Sequence, residues 1–463
     1  MANGSIPPYL AAAAPNPLGN RAPWFKNTAQ SYAGIFLWIA FFDQLGGTAA
    51  GPAALGMARL STCLLALVCA GALSMVLFYL VPGLLGMQTG LPLYIVGSST
   101  FGTKGGYFLP GIFMGLLQIG WYSVATYYAA QLVLRGVGQA HLATSPFGTG
   151  GQFSAVFALT AVVWGYVFAF LGAKGIDYVA RIATCFPLVI IAMLVIGALS
   201  AAGSSRADTI PGDGTMTVPG FLLIVQMVIG FFATAGAVGA DFCANNRNTR
   251  DVWLGGIVGI WLAIALAGGL ALITVVGAVG KDPNMTDYTY SAALPVVNPT
   301  LGKVMLLLFA IGSMAPACFC SFIIGNSLST MLGSARTRVP LTLGGATIGI
   351  VLAALGVAGN LAPFFALIGA SFGPVVGAMI ADYWLSGCKW PGPREGVSIP
   401  GYAAWVIGFA VGVLNHPWIG VLPGWHTTSI YSLIMGFVVY VVLAKAGLEG
   451  RVVDVPHLKA AAS

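Results

Sequence analysis

Inside the first long apolar run of the chain lies the stretch Phe41-Phe42-Asp43-Gln44-Leu45-Gly46-Gly47. A comparable stretch lies in the sixth run, five runs later, and reads Phe231-Phe232-Ala233-Thr234-Ala235-Gly236-Ala237-Val238-Gly239. Glycine that serves close helix packing explains either stretch alone. Together they predict two broken helices at corresponding positions of two repeated halves. That arrangement is typical of secondary transporters, in which unwound backbone exposes polar groups to a solute.

The composition places the whole chain in a membrane. Of its 463 residues, 58% are hydrophobic and 7% are charged, against about 45–50% and about 25% in soluble proteins. A membrane-spanning helix needs about 20 apolar residues. Runs of that kind lie at 31–57, 60–83, 107–134, 153–173, 176–200, 218–242, 252–279, 300–332, 339–358, 360–386, 401–421 and 427–446. We therefore expect an all-α integral membrane protein with about twelve transmembrane helices. The fourth and fifth runs almost touch, so a count of ten or eleven stays open.

The order of these runs predicts four parts. Residues 1–30 form an N-terminal tail without the apolar core of a signal peptide. Residues 31–386 form a ten-helix transport core with a five-plus-five inverted repeat, residues 387–446 add two C-terminal helices, and residues 447–463 form a second tail. Lipid takes the place of outer solvent around such a chain, so the ten-helix core and the added helices count as one integral domain.

The distribution of basic residues predicts the orientation. If the N-terminus is cytoplasmic, fourteen of the 19 Lys and Arg residues fall on the cytoplasmic side, and the external side keeps five, which are Arg59, Arg135, Arg206, Lys281 and Lys303. Cytoplasmic loops of membrane proteins carry such an excess. We therefore expect a multi-pass protein of the plasma membrane with both termini cytoplasmic. The net charge of +7 then faces anionic lipid, and nucleic acid is not implied. An external position of a reporter fused to either terminus would overturn this orientation.

Asp43 is the one carboxylate that lies deep inside an apolar run, because the other eleven Asp and Glu residues fall at helix ends, in loops or in the tail. A carboxylate there costs about 2.5–3.5 kcal/mol on insertion scales. The simpler interpretation is a helix cap, whose oxygen accepts amide hydrogens left free at the break. A serine would cap without the charge, so we expect Asp43 to handle a cation or a proton.

Gln118 and Trp121 are three residues apart on the third run and therefore share one helix face. An aromatic plane offers area for stacking, and an amide offers both a donor and an acceptor. A nucleobase-like solute requires that combination. Tryptophan in a membrane helix is often an interface anchor, but Trp121 lies in the middle of its run. We therefore expect the pair to contact a small planar solute.

Other chemistries find no support in the sequence. No phosphate-binding loop, zinc-protease motif or nucleophile elbow is present, and the four histidines fall in expected loops or the tail. The seven cysteines lie in or beside apolar runs without the spacing of a disulfide framework or a metal site. We expect no enzyme activity, no cofactor and no bound metal. A channel is harder to exclude, although no potassium-filter sequence occurs.

Five short blocks stand in one order along roughly the first ten helices: Thr89-Gly90-Leu91, Phe101-Gly102-Thr103-Lys104-Gly105, Gln118-Ile119-Gly120-Trp121, Ala235-Gly236 followed by Ala240-Asp241-Phe242, and Gly373-Pro374-Val375-Val376-Gly377 leading to Ala381-Asp382-Tyr383. In this order and spacing the chain resembles the nucleobase:cation symporter family, which holds cytosine permeases, purine permeases and hydantoin transporters. The resemblance implies two five-helix inverted repeats, two added helices and alternating access around a central site.

The resemblance also implies residue roles. The family's stacking tryptophan and its amide look like Trp121 and Gln118, and its second aromatic and small hydroxyl on the broken sixth helix look like Phe232 and Thr234. Phe231 beside them and Ser321 on the eighth run complete the predicted solute contacts.

The chain departs from the family on the eighth run. Sodium-coupled members carry adjacent hydroxyl residues there, where this chain has Ala317 and Cys318. A hard cation prefers oxygen to a soft thiol sulfur. We therefore assign ion coupling to Asp43 and Gln44, with Cys318 at the family's ion position, and favour H⁺ over Na⁺ as the coupling ion.

Three functions remain in competition. The first is cation-coupled import of a nucleobase or a related planar heterocycle. The second keeps the architecture but moves a cationic amine, with Asp43 as the counter-ion of the solute. The third is a channel or a membrane enzyme. The expected partners are a small-molecule substrate and membrane lipid.

Overall fold

The computed structural model of the chain describes residues 6–48, 53–148, 150–174, 176–204, 217–331, 335–414, 416, 419, 421, 427–455 and 458. Across these residues the regular elements are helices, and β pairing is limited to isolated bridges such as Ala22 with Asn246. Parts of both predicted tails, residues 49–52 of the first predicted run, and Arg206 and Lys459 lie outside the described residues. The all-α prediction is confirmed.

The helices follow the predicted apolar runs in order. The spans, numbered from the N-terminus, are Thr28–Phe36 with Ile39–Phe42, Leu60–Thr89, Tyr107–Gly136, Ala155–Ala173, Ile176–Ala201, Thr217–Ala237 with Gly239–Cys243, Thr249–Lys281, Pro299–Gly312 with Met314–Met331, Arg338–Leu355, Leu361–Leu385, Ile399–Val413 and Thr428–Lys445. Nine helices in the described part are long and apolar enough to cross a membrane, and the shorter apolar helices Pro187–Ala201 and Ile399–Val413 add to them. About twelve spans are consistent with this set.

Polar residues just before several spans explain where the helices begin. The side chain of Ser154 accepts a hydrogen bond from the backbone of Phe157 at the fourth span, and Asn298 caps the eighth span in the same way. Such caps satisfy amide groups that have no partner within the helix. At the C-terminal end of the second span, Gly90 adopts a left-handed conformation with φ of 69°. Glycine tolerates this conformation, which ends a helix.

The first span breaks earlier than predicted. Its helix is interrupted at Trp38, whose ψ of 129° is extended, and not at the glycines further on. The predicted stretch 41–47 instead forms the end of the short second half, where Gly47 turns with φ of 122°. The physical reason is tertiary, because the Trp38 ring packs against Trp121 and Phe231 from two other spans. No neighbouring residue in the sequence marks that position.

The sixth span is interrupted only at the end of its predicted stretch. Its helix runs unbroken through Phe231 to Ala237, and Val238 separates it from the short helix Gly239–Cys243. The eighth span has a similar interruption at Ser313. Two broken helices are therefore present at the first and sixth positions, and the sixth is the milder break.

The second and seventh spans, five apart, contact each other reciprocally. Each contains one π-helical turn, Ser74–Tyr79 and Ile257–Leu262. Gly71 leaves room for Trp261 of the seventh span, and Gly256 leaves room for Tyr79 of the second. A two-fold relation between two halves produces such a two-way contact. A π turn departs from the regular α-helix, and such turns often occur at functional positions.

Packed segments at both ends of the chain cover one face of the bundle. Near the N-terminus, Leu10 is fully buried, the Tyr9 hydroxyl donates to the Thr103 carbonyl at 2.6 Å, and Arg21 donates to the Met87 carbonyl at 2.6 Å. Near the C-terminus, buried Arg394 pairs with Asp382 at 2.5 Å and with Glu449 at 3.1 Å. These contacts hold the ends of the second, tenth and twelfth spans together.

Candidate functional site

A cavity in the described part of the protein lies where the broken first, sixth and eighth spans meet the third span. Its volume is about 390 Å³, and its lining comprises Gln30, Ser31, Gly34, Ile35, Leu37, Trp38, Gln118, Trp121, Pro187, Ile190, Phe231, Thr234, Ala235, Val238, Phe242, Gly312, Ala315, Pro316, Phe319 and Cys320. We call it the central cavity. Its described lining contains no Asp, Glu, Lys or Arg. The cavity is therefore apolar and aromatic, with a few neutral polar groups.

Aromatic rings close the inner end of the central cavity. The ring of Trp121 lies 5.2 Å from Phe231, 5.2 Å from Phe364 and 6.0 Å from Trp38, measured between centroids. The contacts with Phe231 and Phe364 are edge-to-face, which suits the opposite polarity of ring edge and ring face. Phe41 continues the cluster at 5.1 Å from Phe231. We call these rings the aromatic cluster.

Two neutral polar groups lie beside Trp121. Its indole N–H donates to the Thr234 hydroxyl oxygen at 3.2 Å, so the hydroxyl hydrogen of Thr234 is left to donate elsewhere. The amide nitrogen of Gln118 contacts the sulfur of Met114 at 3.6 Å, a weak interaction. A solute at the edge of Trp121 would meet an amide that both donates and accepts, together with a hydroxyl donor.

Four of the predicted solute contacts line the central cavity: Gln118, Trp121, Phe231 and Thr234. Phe232 and Ser321 do not. Phe232 is fully buried and stacks on Phe36 at 5.5 Å, because successive residues of a helix point about 100° apart. Ser321 donates to the Cys318 carbonyl at 3.0 Å and packs against Gly172 of the fourth span.

Most other lining residues were missed by sequence reasoning, among them Trp38, Phe319 and Cys320. Trp38 carried a usable signal, since it directly precedes the short helix that leads into the polar stretch of the first run. Cys320 is two residues from Cys318, and the helix turns the two thiols to different sides. The Cys318 thiol donates to the Phe168 carbonyl of the fourth span at 3.5 Å, away from the cavity.

A second cavity lies on the other side of the aromatic cluster. It has a volume of about 260 Å³ and is lined by Asp43, Gln44, Thr48, Tyr127, Tyr128, Gln131, Leu132, Arg135, Phe147, Gly148, Gly150, Asp287, Thr289, Ser291, Gly359 and Asn360. We call it the polar cavity. Unlike the central cavity, it contains charged groups of both signs.

Asp43 lies at the base of the polar cavity and is only 3% exposed. One carboxylate oxygen accepts a hydrogen bond from the backbone of Ser291 at 2.7 Å, and the Asp43 carbonyl accepts one from Tyr290 at 2.9 Å. Asp43 thus caps the helix Tyr290–Val297, where a negative charge is favoured by the helix dipole. The cap interpretation holds for this helix and not for the second half of its own span.

The neighbours of Asp43 complete the polar cavity. Arg135 donates to the Ser291 hydroxyl at 2.9 Å and lies 3.9 Å from the Asp287 carboxylate. The Gln44 amide donates to the Gly359 carbonyl at 3.1 Å and accepts from the Leu361 backbone at 3.3 Å. Of the three residues assigned to ion coupling, Asp43 and Gln44 are therefore together, whereas Cys318 faces the fourth span. Their coupling role stays a prediction.

The sequence pattern of the permeases for cytosine/purines, uracil, thiamine and allantoin matches residues 26–388. The chain belongs to this permease family. Its members are transporters and not enzymes, and the predicted family resemblance is confirmed. The cytosine permease of Escherichia coli K12 is 25% identical to this chain over 312 residues, and that of strain O157:H7 is equally similar. The matched region covers 66% of this chain and 66% of each permease, just under two thirds.

Solved structures show that this chain has the fold of known transporters. Mhp1 in an inward-facing conformation is 17% identical, with a TM-score of 0.72 over 94% of this chain and 93% of Mhp1. Mhp1 in a closed conformation with bromovinylhydantoin bound is 16% identical, with a TM-score of 0.70 over 97% of this chain and 98% of Mhp1. A Na⁺-coupled sialic acid symporter in an outward-open state is 13% identical, with a TM-score of 0.63 over 94% of this chain and 92% of the symporter. The predicted fold class is confirmed.

Replacement of Trp121 tests the central cavity of this permease. Trp121→Ala removes stacking area and is expected to weaken solute affinity by about 1–3 kcal/mol, roughly ten- to hundredfold. Trp121→Phe keeps a ring and is expected to retain part of the affinity. The measurement is the half-saturation concentration for solute uptake. Trp405→Ala on the eleventh span removes a tryptophan outside the cavity and serves as the control. An unchanged half-saturation in Trp121→Ala would mean that the solute binds elsewhere.

Proposed function

We propose that this permease is a cation-coupled symporter that imports a neutral, planar nucleobase or related heterocycle across the plasma membrane by alternating access. Its membership of the permease family supports transport of this class of solute. The solute would bind in the central cavity, and the coupling ion would act at the polar cavity. Both termini would be cytoplasmic, as the distribution of Lys and Arg indicates.

The neutral, aromatic lining of the central cavity carries this proposal. The described lining has no charged side chain, while Trp121, Phe231, Trp38 and Phe319 offer flat faces. A charged solute there would lose hydration without gaining a counter-charge, which is costly in an apolar environment. A neutral heterocycle loses less, and the Gln118 amide can donate to its carbonyl and accept from its ring N–H. The cavity of about 390 Å³ lies within the usual range for small-molecule sites.

The position of Asp43 argues against the cationic amine as solute. Asp43 lies in the polar cavity, beyond the aromatic cluster, and its carboxylate is engaged by Ser291. A counter-ion must lie close to the charge that it neutralises in a medium of low dielectric constant. An amine in the central cavity would find no such partner in the described lining.

The two cavities support alternating access. The central cavity extends to exposed Gln30 at the start of the first span, on the side of the N-terminus. The polar cavity extends towards Asp287 on the opposite side. The aromatic cluster lies between them, so the pathway is interrupted at one point. In the proposed orientation, this state is open towards the cytoplasm.

We favour H⁺ over Na⁺ as the coupling ion, with Asp43 as its acceptor. Arg135 bonds the hydroxyl of Ser291, the residue whose backbone binds Asp43. A Na⁺ ion needs several oxygen ligands, whereas a proton needs only one carboxylate oxygen. The thiol of Cys318, which faces Phe168, adds no oxygen ligand for Na⁺.

An uptake panel tests the solute class. Purified protein in proteoliposomes would be supplied with radiolabelled uracil, cytosine, hypoxanthine, hydantoin and allantoin, and with a quaternary amine for comparison. At least one neutral heterocycle is expected to accumulate under an imposed ion gradient and to lose accumulation when the gradient is dissipated. Accumulation of the amine alone, or uptake insensitive to every gradient, would contradict the proposal.

Asp43→Asn tests the coupling ion separately. The change removes the charge but keeps the shape and an oxygen acceptor, so solute exchange is expected to persist while accumulation driven by a pH gradient is lost. Asp287→Asn, at a more exposed carboxylate of the same cavity, is the matched control and is expected to keep accumulation. If Na⁺ is the coupling ion, Asp43→Asn would still accumulate solute with a raised sodium requirement. Full accumulation by Asp43→Asn under both the pH and the sodium gradient would leave Asp43 as a helix cap only.

A further inference from the structure

The short second half of the first span ends in two adjacent residues that each bind a different loop. Asp43 binds the start of the helix Tyr290–Val297, which lies between the seventh and eighth spans. Gln44 binds the segment that leads into the tenth span. Both loops lie on the side of the membrane that faces the polar cavity. We call this the far side, and we call the side of Gln30 the near side.

The Asp43 contact is reinforced on the far side. Two hydrogen bonds join its carboxylate and carbonyl to Ser291 and Tyr290, at 2.7 Å and 2.9 Å. Arg135 of the third span holds the same Ser291 through its hydroxyl and pairs with Asp287 in the loop. A hydrogen bond to a charged acceptor is stronger than one between neutral groups. The first span, the third span and this loop are therefore joined at one point.

The Gln44 contact uses both ends of its amide. The nitrogen donates to the Gly359 carbonyl, and the oxygen accepts from the Leu361 backbone, which is the first residue of the tenth helix. A glutamine that bonds two backbone groups in opposite senses is fixed in orientation. These two hydrogen bonds of Gln44 join the first span to the tenth span independently of Asp43.

We propose that Asp43 and Gln44 form a double latch that holds the far side of the pathway closed while the central cavity is open on the near side. The inference rests on the alternating access of the proposed function, but not on the identity of the solute. For a solute to pass from the far side, the rings of the aromatic cluster must part, and the short second half of the first span must separate from the two loops. Those loops are the elements that Asp43 and Gln44 bind, so opening breaks both contacts.

The latch makes a prediction about conformational balance. Loss of either the Asp43 or the Gln44 contact is expected to raise the equilibrium constant for far-side opening by about three- to tenfold. That factor corresponds to one net hydrogen bond. Loss of both is expected to have a larger effect, since the two contacts involve different loops and share no partner. The intrinsic affinity of the central cavity for solute is not expected to change, because neither Asp43 nor Gln44 lines that cavity.

Cys320 provides a reporter that the chain already contains. Its side chain lines the central cavity and is 5% exposed. A membrane-impermeant maleimide added from the near side approaches Cys320 through the central cavity, whereas one added from the far side must pass the latch. Labelling would be measured in sealed vesicles of both orientations, without solute, and peptide mapping by mass spectrometry would separate Cys320 from the other cysteines.

In Gln44→Ala, Asp43→Ala and the double variant, far-side labelling of Cys320 is expected to rise and near-side labelling to fall. Asp43→Asn keeps an oxygen acceptor and is expected to show a smaller change. Thr48→Ala, at another residue lining the polar cavity, is the matched control and is expected to behave as the parent protein. A loosened or misfolded protein would label faster from both sides, so the opposite directions of the two changes identify the latch.

Unchanged labelling from both sides in the double variant would overturn the latch. So would parallel increases from both sides, which indicate loss of packing. Because no solute is present in the labelling experiment, failure of the uptake panel leaves these outcomes unaffected. The two proposals are therefore refuted by different measurements.

Discussion

Ring packing around Trp121 is the contact on which the rest of the arrangement depends. Trp38, Phe231 and Phe364 surround this indole and come from three different spans, so the cluster holds the broken first span against the sixth and the tenth. It also separates two cavities of opposite character. The central cavity has neutral walls, and the polar cavity holds Asp43, Arg135 and Asp287. Large rings fill the interior, and the polar atoms they bring are two indole N–H groups, of which that of Trp121 donates to Thr234.

This separation gives solute and ion different chemical environments. A flat neutral solute suits the central cavity, since stacking and a single amide supply its contacts at little cost of desolvation. The proposed coupling ion would meet the charged groups beyond the cluster, where the Ser291 backbone binds the buried Asp43 carboxylate and Arg135 bonds the Ser291 hydroxyl. The fold is similar to those of Mhp1 and of a Na⁺-coupled sialic acid symporter. The short half of the first span joins the two cavities, with Trp38 at one end and Asp43 and Gln44 at the other.

Much of this arrangement could be predicted from local sequence. Apolar length indicated the order of the spans, and helical spacing predicted that Gln118 and Trp121 share one face. Thr234, which lies beside Trp121, was predicted from the family resemblance and not from spacing. The break at Trp38 could not be predicted, because it depends on rings distant in the chain and no glycine or proline marks it. Phe232 and Ser321 were misplaced because small errors in helix phase turn a side chain to another neighbour. The backbone partner of Asp43 lies 248 residues away, beyond any local pattern.

The central claim is that a neutral heterocycle binds in the cavity beside Trp121 and Gln118. The most direct measurement is a crystal structure with a brominated analogue of the transported heterocycle, in which anomalous scattering locates the bromine. The account predicts one bromine peak within the central cavity, with the ring parallel to the Trp121 indole at about 3.5–4.0 Å and its edge at the Gln118 amide. A peak in the polar cavity beside Asp43, with the central cavity free of ligand, would contradict it.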